Sequence, residues 1–404
     1  MTFADPTETK ITPEVQTFLD MVSYRRPHLS DEEEEFIERF ISPLNPTSLL
    51  DPTNLPMCYM IDVAGNDKGE LAPIIFSSHV DTVHYKGGRQ KVCFDVGMGL
   101  IYKDDNAPLG ADDAIGVWLM LQMIEAGIPG RYLFHRGEEC GGKGSKVVAA
   151  HHKDVLEGFK YAVAFDRRAD CSVITFQRGT RCCSDGFATE LGARITARMP
   201  HDKGKPRYTL TPDDSGVFTD TAEYTKVIPE CTNLSVGYYD EHSGKESADL
   251  EFMLALRDAV IDPAMWVDLP VERDPSKTES KYGSGYGSSY GGYYGSSGLW
   301  DDWPRLGGRA SNDDTLDPEE EYGSGDLTGL GFDTLRHYAT YGSPSKVAGT
   351  LTNLLDEIDA LEDSLTFNEV VESEDEASLA DQLSLERSYV AYLEKILNEN
   401  GIEY

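Results

Sequence analysis

The feature that most constrains this chain is an alternation. Short apolar runs at 59–63, 74–78, 131–135, 162–165 and 234–236 are separated by longer segments that carry helical signals. One such segment, 114–126, reads as a buried helix, with Gly127 suited to the left-handed position just past its end. Another spans 145–156. Strands that alternate with helices form a mostly parallel central sheet with helices on both faces, so the expected fold class is α/β. Near the start, Ser30 with Glu33 three residues on resembles a capping box. Phe36, Ile37, Phe40 and Ile41 make one face of the helix behind it. The acidic run at 31–35 then reads as its solvated side.

Composition narrows the partners. The formal net charge of −35 argues against nucleic acid and against an anionic membrane surface. It fits a soluble surface, or an acidic cleft that attracts metal cations or a substrate ammonium group. The opening MTFADPTETK lacks the basic and apolar regions of a secretory signal. No apolar run reaches the roughly 18 residues of a membrane span. A cytoplasmic location is expected. Seven cysteines without CxxC spacing suggest neither a disulfide framework nor a thiolate zinc knuckle. Cys140, Cys182 and Cys183 are expected to be reduced core thiols.

Three regions separate by composition. Residues 1–265 carry the strand and helix alternation. Residues 266–329 include KYGSGYGSSYGGYYGSSG, which cannot bury a core and reads as a flexible linker. Residues 330–404 hold two amphipathic patterns, one through Val347, Leu351, Leu354, Ile358 and Leu361, the other through Leu383, Val390, Leu393 and Leu397. A C-terminal helical hairpin is expected there, suited to docking or self-association.

The chemistry-bearing residues follow the strands. His79, Val80 and Asp81 come after the run at 74–78, and Asp112 and Asp113 open the buried helix. Glu138 and Glu139 follow the run at 131–135, Asp166 follows the run at 162–165, and Glu241 and His242 come soon after 234–236. In open α/β sheets that carboxyl edge is where ligands bind. Two histidines with three carboxylates suit zinc and, less selectively, cobalt or manganese. Ionised Asp112, Glu139 and Asp166, with a hydroxide, would balance two divalent ions bridged by one carboxylate at about 3.5–4 Å. Asp81 would accept the other ring N–H of His79 and so orient it. Glu138 precedes the ligand Glu139 and points to a different side of an extended chain. There it can take a proton from a bridging water and hand it to a leaving amine.

The motifs HVD at 79–81, GADDAIG at 110–116, GEE at 137–139, FDRR at 165–168 and DEH at 240–242 resemble the co-catalytic di-zinc exopeptidases. That clan includes bacterial zinc aminopeptidases, tripeptidase T, carboxypeptidase G and aminoacylases. The resemblance covers residues 12–262. It implies that Asp112 bridges two zinc ions, that His79 and Asp166 complete one site, and that Glu139 and His242 complete the other. It also implies Glu138 as general base, Asp81 as orienter and a cis peptide between Asp112 and Asp113. Only 76 positions separate Asp166 from His242 (242 minus 166), which leaves no room for the lid domain some members insert there. The oxyanion donor must then come from elsewhere, with His201, Tyr208 and Tyr238 as candidates.

The expected activity is zinc-dependent hydrolysis of peptide bonds by an exopeptidase of aminopeptidase type. An N-acyl amino acid deacylase and a catalytically silent scaffold are the alternatives. Arg167 and Arg168 would either pair with Asp166 or hold a substrate carboxylate. His84, His135, His151 and His152 read as surface or structural residues.

Overall fold

The computed structural model describes residues 11–65, 68–96 and 98–281. The part of the expected linker after Lys281 and the expected hairpin at 330–404 lie outside the described residues. In the main sheet, β1 (Thr47–Leu50), β2 (Pro56–Val63), β3 (Ile74–His79), β4 (Gly130–His135), β5 (Tyr161–Arg167), β6 (Ser172–Ile174), β7 (Thr211–Asp213) and β8 (Glu230–Ser235) lie in the order β7-β6-β8-β5-β3-β4-β2-β1. Its middle, β8-β5-β3-β4, is parallel throughout. The edge formed by β2 and β1 is antiparallel.

Side-chain alternation divides the hydrophobic core between the two faces of this sheet. Ile74, Phe76, Tyr132, Phe134, Val163 and Phe165 join one cluster, with α1 (Pro13–Val22), α3 (Ala111–Glu125), α5 (Asp185–Arg198) and α6 (Leu250–Val260). Ile75, Leu133 and Ala162 point the other way, toward α4 (Lys143–His151) and the turn of helix at Lys153–Leu156. Strands buried on both faces read as continuous apolar runs, which is why they were visible. The run at 234–236 marks only the end of β8, whose earlier residues Thr232 and Asn233 are buried but polar. The helix expected at 145–156 is split at His152 between α4 and the short turn that follows.

Two local expectations are corrected. In α2 (Asp31–Phe40) Ser30 caps the Glu33 amide at 3.1 Å, but Glu33 is not on a solvated face. Its side chain is fully buried, accepts from the Leu29 amide at 2.7 Å and pairs with Arg136. It compensates the buried guanidinium of Arg136, which Glu34 meets on its other side at 3.0 Å. Cys140 is exposed and belongs to no core cluster, whereas Cys182 and Cys183 are buried as expected. The tight turn after β4 leaves Cys140 on the outside, since residues 137–139 are drawn inward by Asp81.

After residue 265 the chain stays fastened to the domain. Glu230 accepts from the Glu272 and Arg273 amides at 2.7 and 2.9 Å, and the Lys281 amide donates to the Gly179 carbonyl. Among the described residues no helix is long and apolar enough to cross a membrane.

Candidate metal centre

The carboxyl ends of β3, β4 and β5 lie side by side, and the loops that leave them carry the candidate ligands. His79, the last residue of β3, is 1% exposed. Its Nε2 lies 3.0 Å from Asp112 Oδ1 and 3.6 Å from Asp166 Oδ1. The other oxygen of Asp112, Oδ2, lies 3.1 Å from His242 Nε2. His242 Nε2 is in turn 3.0 Å from Glu139 Oε1. One carboxylate therefore sits between two imidazoles, with a further carboxylate beside each.

The supports of these side chains are mostly backbone groups. Asp81 accepts from three consecutive amides, Gly137 at 2.8 Å, Glu138 at 3.1 Å and Glu139 at 3.2 Å. That sets the direction in which Glu138 and Glu139 leave the strand. Burial alone would raise the Asp81 pKa, but His79 and the amide donors hold it below the ordinary carboxylate value. The orienting contact to His79 differs in detail from expectation. Its Nδ1 is 3.0 Å from the Asp81 carbonyl oxygen and 3.6 Å from the Asp81 carboxylate, whose oxygens serve the amides instead.

Asp112 and Asp113 are joined by a cis peptide bond. Asp113 turns away from the cleft, accepts from the Ser78 hydroxyl and from the His79 and Gly116 amides, and ties α3 to the end of β3. Gly116 lets α3 lie directly on β5, because a Cβ there would come within 2.3 Å of the Phe165 carbonyl. Asp112 is thereby brought against Asp166. Asp166 is held by Thr219, whose hydroxyl donates to Oδ2 at 2.6 Å, and by Asn233, which bonds both its amide and its carbonyl.

The electrostatics of the cluster fit divalent cations. Burial first, then Asp166, Asp220 and Glu139, push the Glu138 carboxyl well above its ordinary range. Burial and Asp112 raise Glu139 to about 7. Burial would lower His242, yet Asp112 and Glu139 outweigh it and lift the imidazole to about 11. The largest influences on Asp112, Glu138, Glu139 and Asp166 are burial, neighbouring acids, the two imidazoles and, for Asp166, the Thr219 hydroxyl. Buried carboxylates are costly without compensating charge. Nitrogen and oxygen donors in this grouping are a set that zinc, cobalt or manganese accepts. Donor atoms of His79, Asp112 and Glu139 lie within 4.8 Å of one another, as do those of His79, Asp113 and Asp166.

No protein-family model and no curated protein sequence matches the chain. Among solved structures it is similar to aminopeptidase PepT from Bacillus cereus, at 17% identity and a TM-score of 0.46, over 63% of this chain and 98% of that one. A tripeptidase from Staphylococcus aureus aligns at 16% identity and a TM-score of 0.45, over 63% and 98%. The TET1 peptidase of Pyrococcus horikoshii, described as assembling into a tetrahedron or a large octahedral shell, aligns at 15% identity and a TM-score of 0.41, over 63% and 99%. The likeness is to peptidases.

All seven expected site residues, His79, Asp81, Asp112, Glu138, Glu139, Asp166 and His242, fall at this one edge. Of the three oxyanion candidates, Tyr238 lies there, with its hydroxyl 3.2 Å from the Asp166 carbonyl. His201 is exposed on a hairpin opposite Pro206, and Tyr208 packs on Phe252. Arg167 turns to the Ser215 hydroxyl at 2.9 Å, and Arg168 lies 3.7 Å from Glu241. Both line a cleft of about 340 Å³ beside Asp112, Glu138 and His242, whose apolar wall includes Ile174, Val217 and Phe218. His84 and His135 are buried and structural: Thr82 and Gln90 hold the first, Tyr224 the second. Sequence reasoning missed Asp113, Thr219, Asn233 and Glu246. Asp113 stands inside the GADDAIG motif but was given no role of its own, and Glu246 lies four residues past His242; Thr219 and Asn233 adjoin no motif.

Proposed function

We propose that this chain is a zinc-dependent metallopeptidase, an exopeptidase of aminopeptidase type. The observation that carries the reading is the Asp112 carboxylate, with one oxygen 3.0 Å from the His79 imidazole and the other 3.1 Å from that of His242. In this reading His79 and Asp166 hold one ion, Glu139 and His242 hold a second, and Asp112 serves both. When bound, such a pair polarises a scissile carbonyl and lowers the pKa of water toward neutrality.

The chain's own residues do the rest. Glu138 lines the cleft next to this cluster, and Asp81 fixes its backbone. It takes the proton of the attacking water and delivers it to the departing amine. The wall formed by Ile174, Val217 and Phe218 accepts an apolar part of the substrate, while the carboxylates that line the cleft favour its free ammonium group. Peptides with a free amino terminus are thus the expected substrate class.

Elemental analysis of the purified full chain, paired with aminoacyl-anilide and N-acetyl amino acid panels, tests this. We expect two zinc ions per chain and turnover of the anilides. Turnover confined to the N-acetyl compounds would make the protein a deacylase. In Glu138→Gln, metal content should match the parent while kcat falls roughly 10²–10⁴-fold. Unchanged kcat would remove Glu138 from the mechanism.

A further inference from the structure

Resting on the reading above, we infer that Glu246 is a positioning residue that sets the distance between Asp112 and His242. It is 2% exposed and lies four residues beyond His242, at the end of the loop that carries it. Its carboxylate reaches across the site to the other loop. Oε2 accepts from the Gly110 amide at 2.9 Å, and Oε1 accepts from the Asp112 amide at 3.0 Å. One side chain thus clamps the backbone of the bridging residue to the segment that presents the exposed imidazole.

His242 needs such help. Its backbone has φ 63° and its side chain is 49% exposed, so no core packing fixes it. Within its loop the Ser243 hydroxyl donates to the Asp240 carbonyl, and the Glu246 amide donates to the Ser243 carbonyl. These bonds shape the loop but do not tie it to Asp112. Glu246 ties the loop to the Asp112 backbone, its fixed carboxylate accepting the Gly110 and Asp112 amides. A ligand pair held this way should lose affinity when the clamp is removed, since partners behind metal ligands are commonly worth about 10–100-fold in metal affinity.

A second buried carboxylate supplies the control. Glu230 is fully buried and accepts from the Ser184, Glu272 and Arg273 amides at the amino end of β8, opposite the carboxyl ends that carry the cluster. Full-length Glu246→Gln and Glu230→Gln would be titrated with zinc by equilibrium dialysis, and their metal-free forms melted. We expect Glu246→Gln to bind one zinc as the parent does and the second at least about ten-fold more weakly. Glu230→Gln should melt earlier yet keep both parental affinities. A Glu246→Gln isotherm that overlays the parent's, or equal weakening in both variants, would overturn the assignment. Should Glu246→Gln not fold, Glu246→Asp takes its place. Unfolding of both would make the clamp a folding element and would also overturn it. A parent chain that takes up no zinc would instead bring down the functional reading, and this inference with it.

Discussion

The two halves of the proposed metal centre are built differently. His79 and Asp166 sit at the ends of adjacent parallel strands, 1% and 8% exposed, with Thr219, Asn233 and Tyr238 behind them. Glu139 and His242 sit on loops, and the His242 side chain is half open to solvent. The first half is fixed by the sheet before any ion arrives. The second depends on two turns and a carboxylate clamp. The two proposed sites that would share Asp112 should therefore differ in affinity, with the strand-borne half the tighter.

The harshest test of that difference removes one imidazole from each half. His79→Ala should lose both ions and lower kcat/KM by on the order of 10⁴-fold or more, because the bridging residue loses its fixed neighbour. His242→Ala should keep one ion and lose on the order of 10²-fold. Metal analysis and steady-state kinetics on anilide substrates check both. Equal losses would mean that the halves are not independent in the way their construction suggests.

A milder change probes the strand-borne half through its support. The Thr219 hydroxyl donates to Asp166 Oδ2 at 2.6 Å and is 1% exposed. Thr219→Val keeps the shape and removes the donor, leaving a buried carboxylate oxygen short of a partner. Zinc affinity at the tighter site should fall about 10–100-fold, and Thr219→Ser should restore it. Competition with a chromophoric chelator reads this without any turnover. Failure of the serine to rescue would point to packing rather than to the hydrogen bond.

How much of this was legible from residues alone follows from the same contrast. Apolar runs buried on both faces announce the parallel strands, and an acid or histidine at the end of such a run stands out against them. His79, Glu139 and Asp166 were found that way. Their supports were not, since Thr219 acts across 53 positions and Glu246 across 136, and neither residue type is distinctive. Glu33 misled for a related reason. In a run of five acids nothing local marks the one that turns inward, and its partner Arg136 lies 103 positions away. Cys140 was misplaced because a cysteine's usual burial gave way to a turn dictated by Asp81. Patterns with a short period survive in the sequence; contacts made by single polar side chains across the fold do not.

The smallest effect expected lies at the rim, and it separates the two arginines that follow Asp166. Arg167 lines the cleft too, but its guanidinium is held by Ser215 and by Asp213 at 3.6 Å, and its side chain is 19% exposed. The Arg168 side chain is 45% exposed and stands 3.7 Å from Glu241, the residue before His242. A substrate carboxylate would therefore meet Arg168 first. An exposed pair of this kind contributes about 1 kcal/mol at most, so Arg168→Ala should raise KM for a tripeptide roughly five-fold. Its kcat should hold. The same peptide with an amidated C-terminus should show no change in KM, and Arg167→Ala should leave both substrates unaffected. A loss shared equally by the acid and the amide would mean that Arg168 shapes the loop around Glu241 and does not read the substrate's charge.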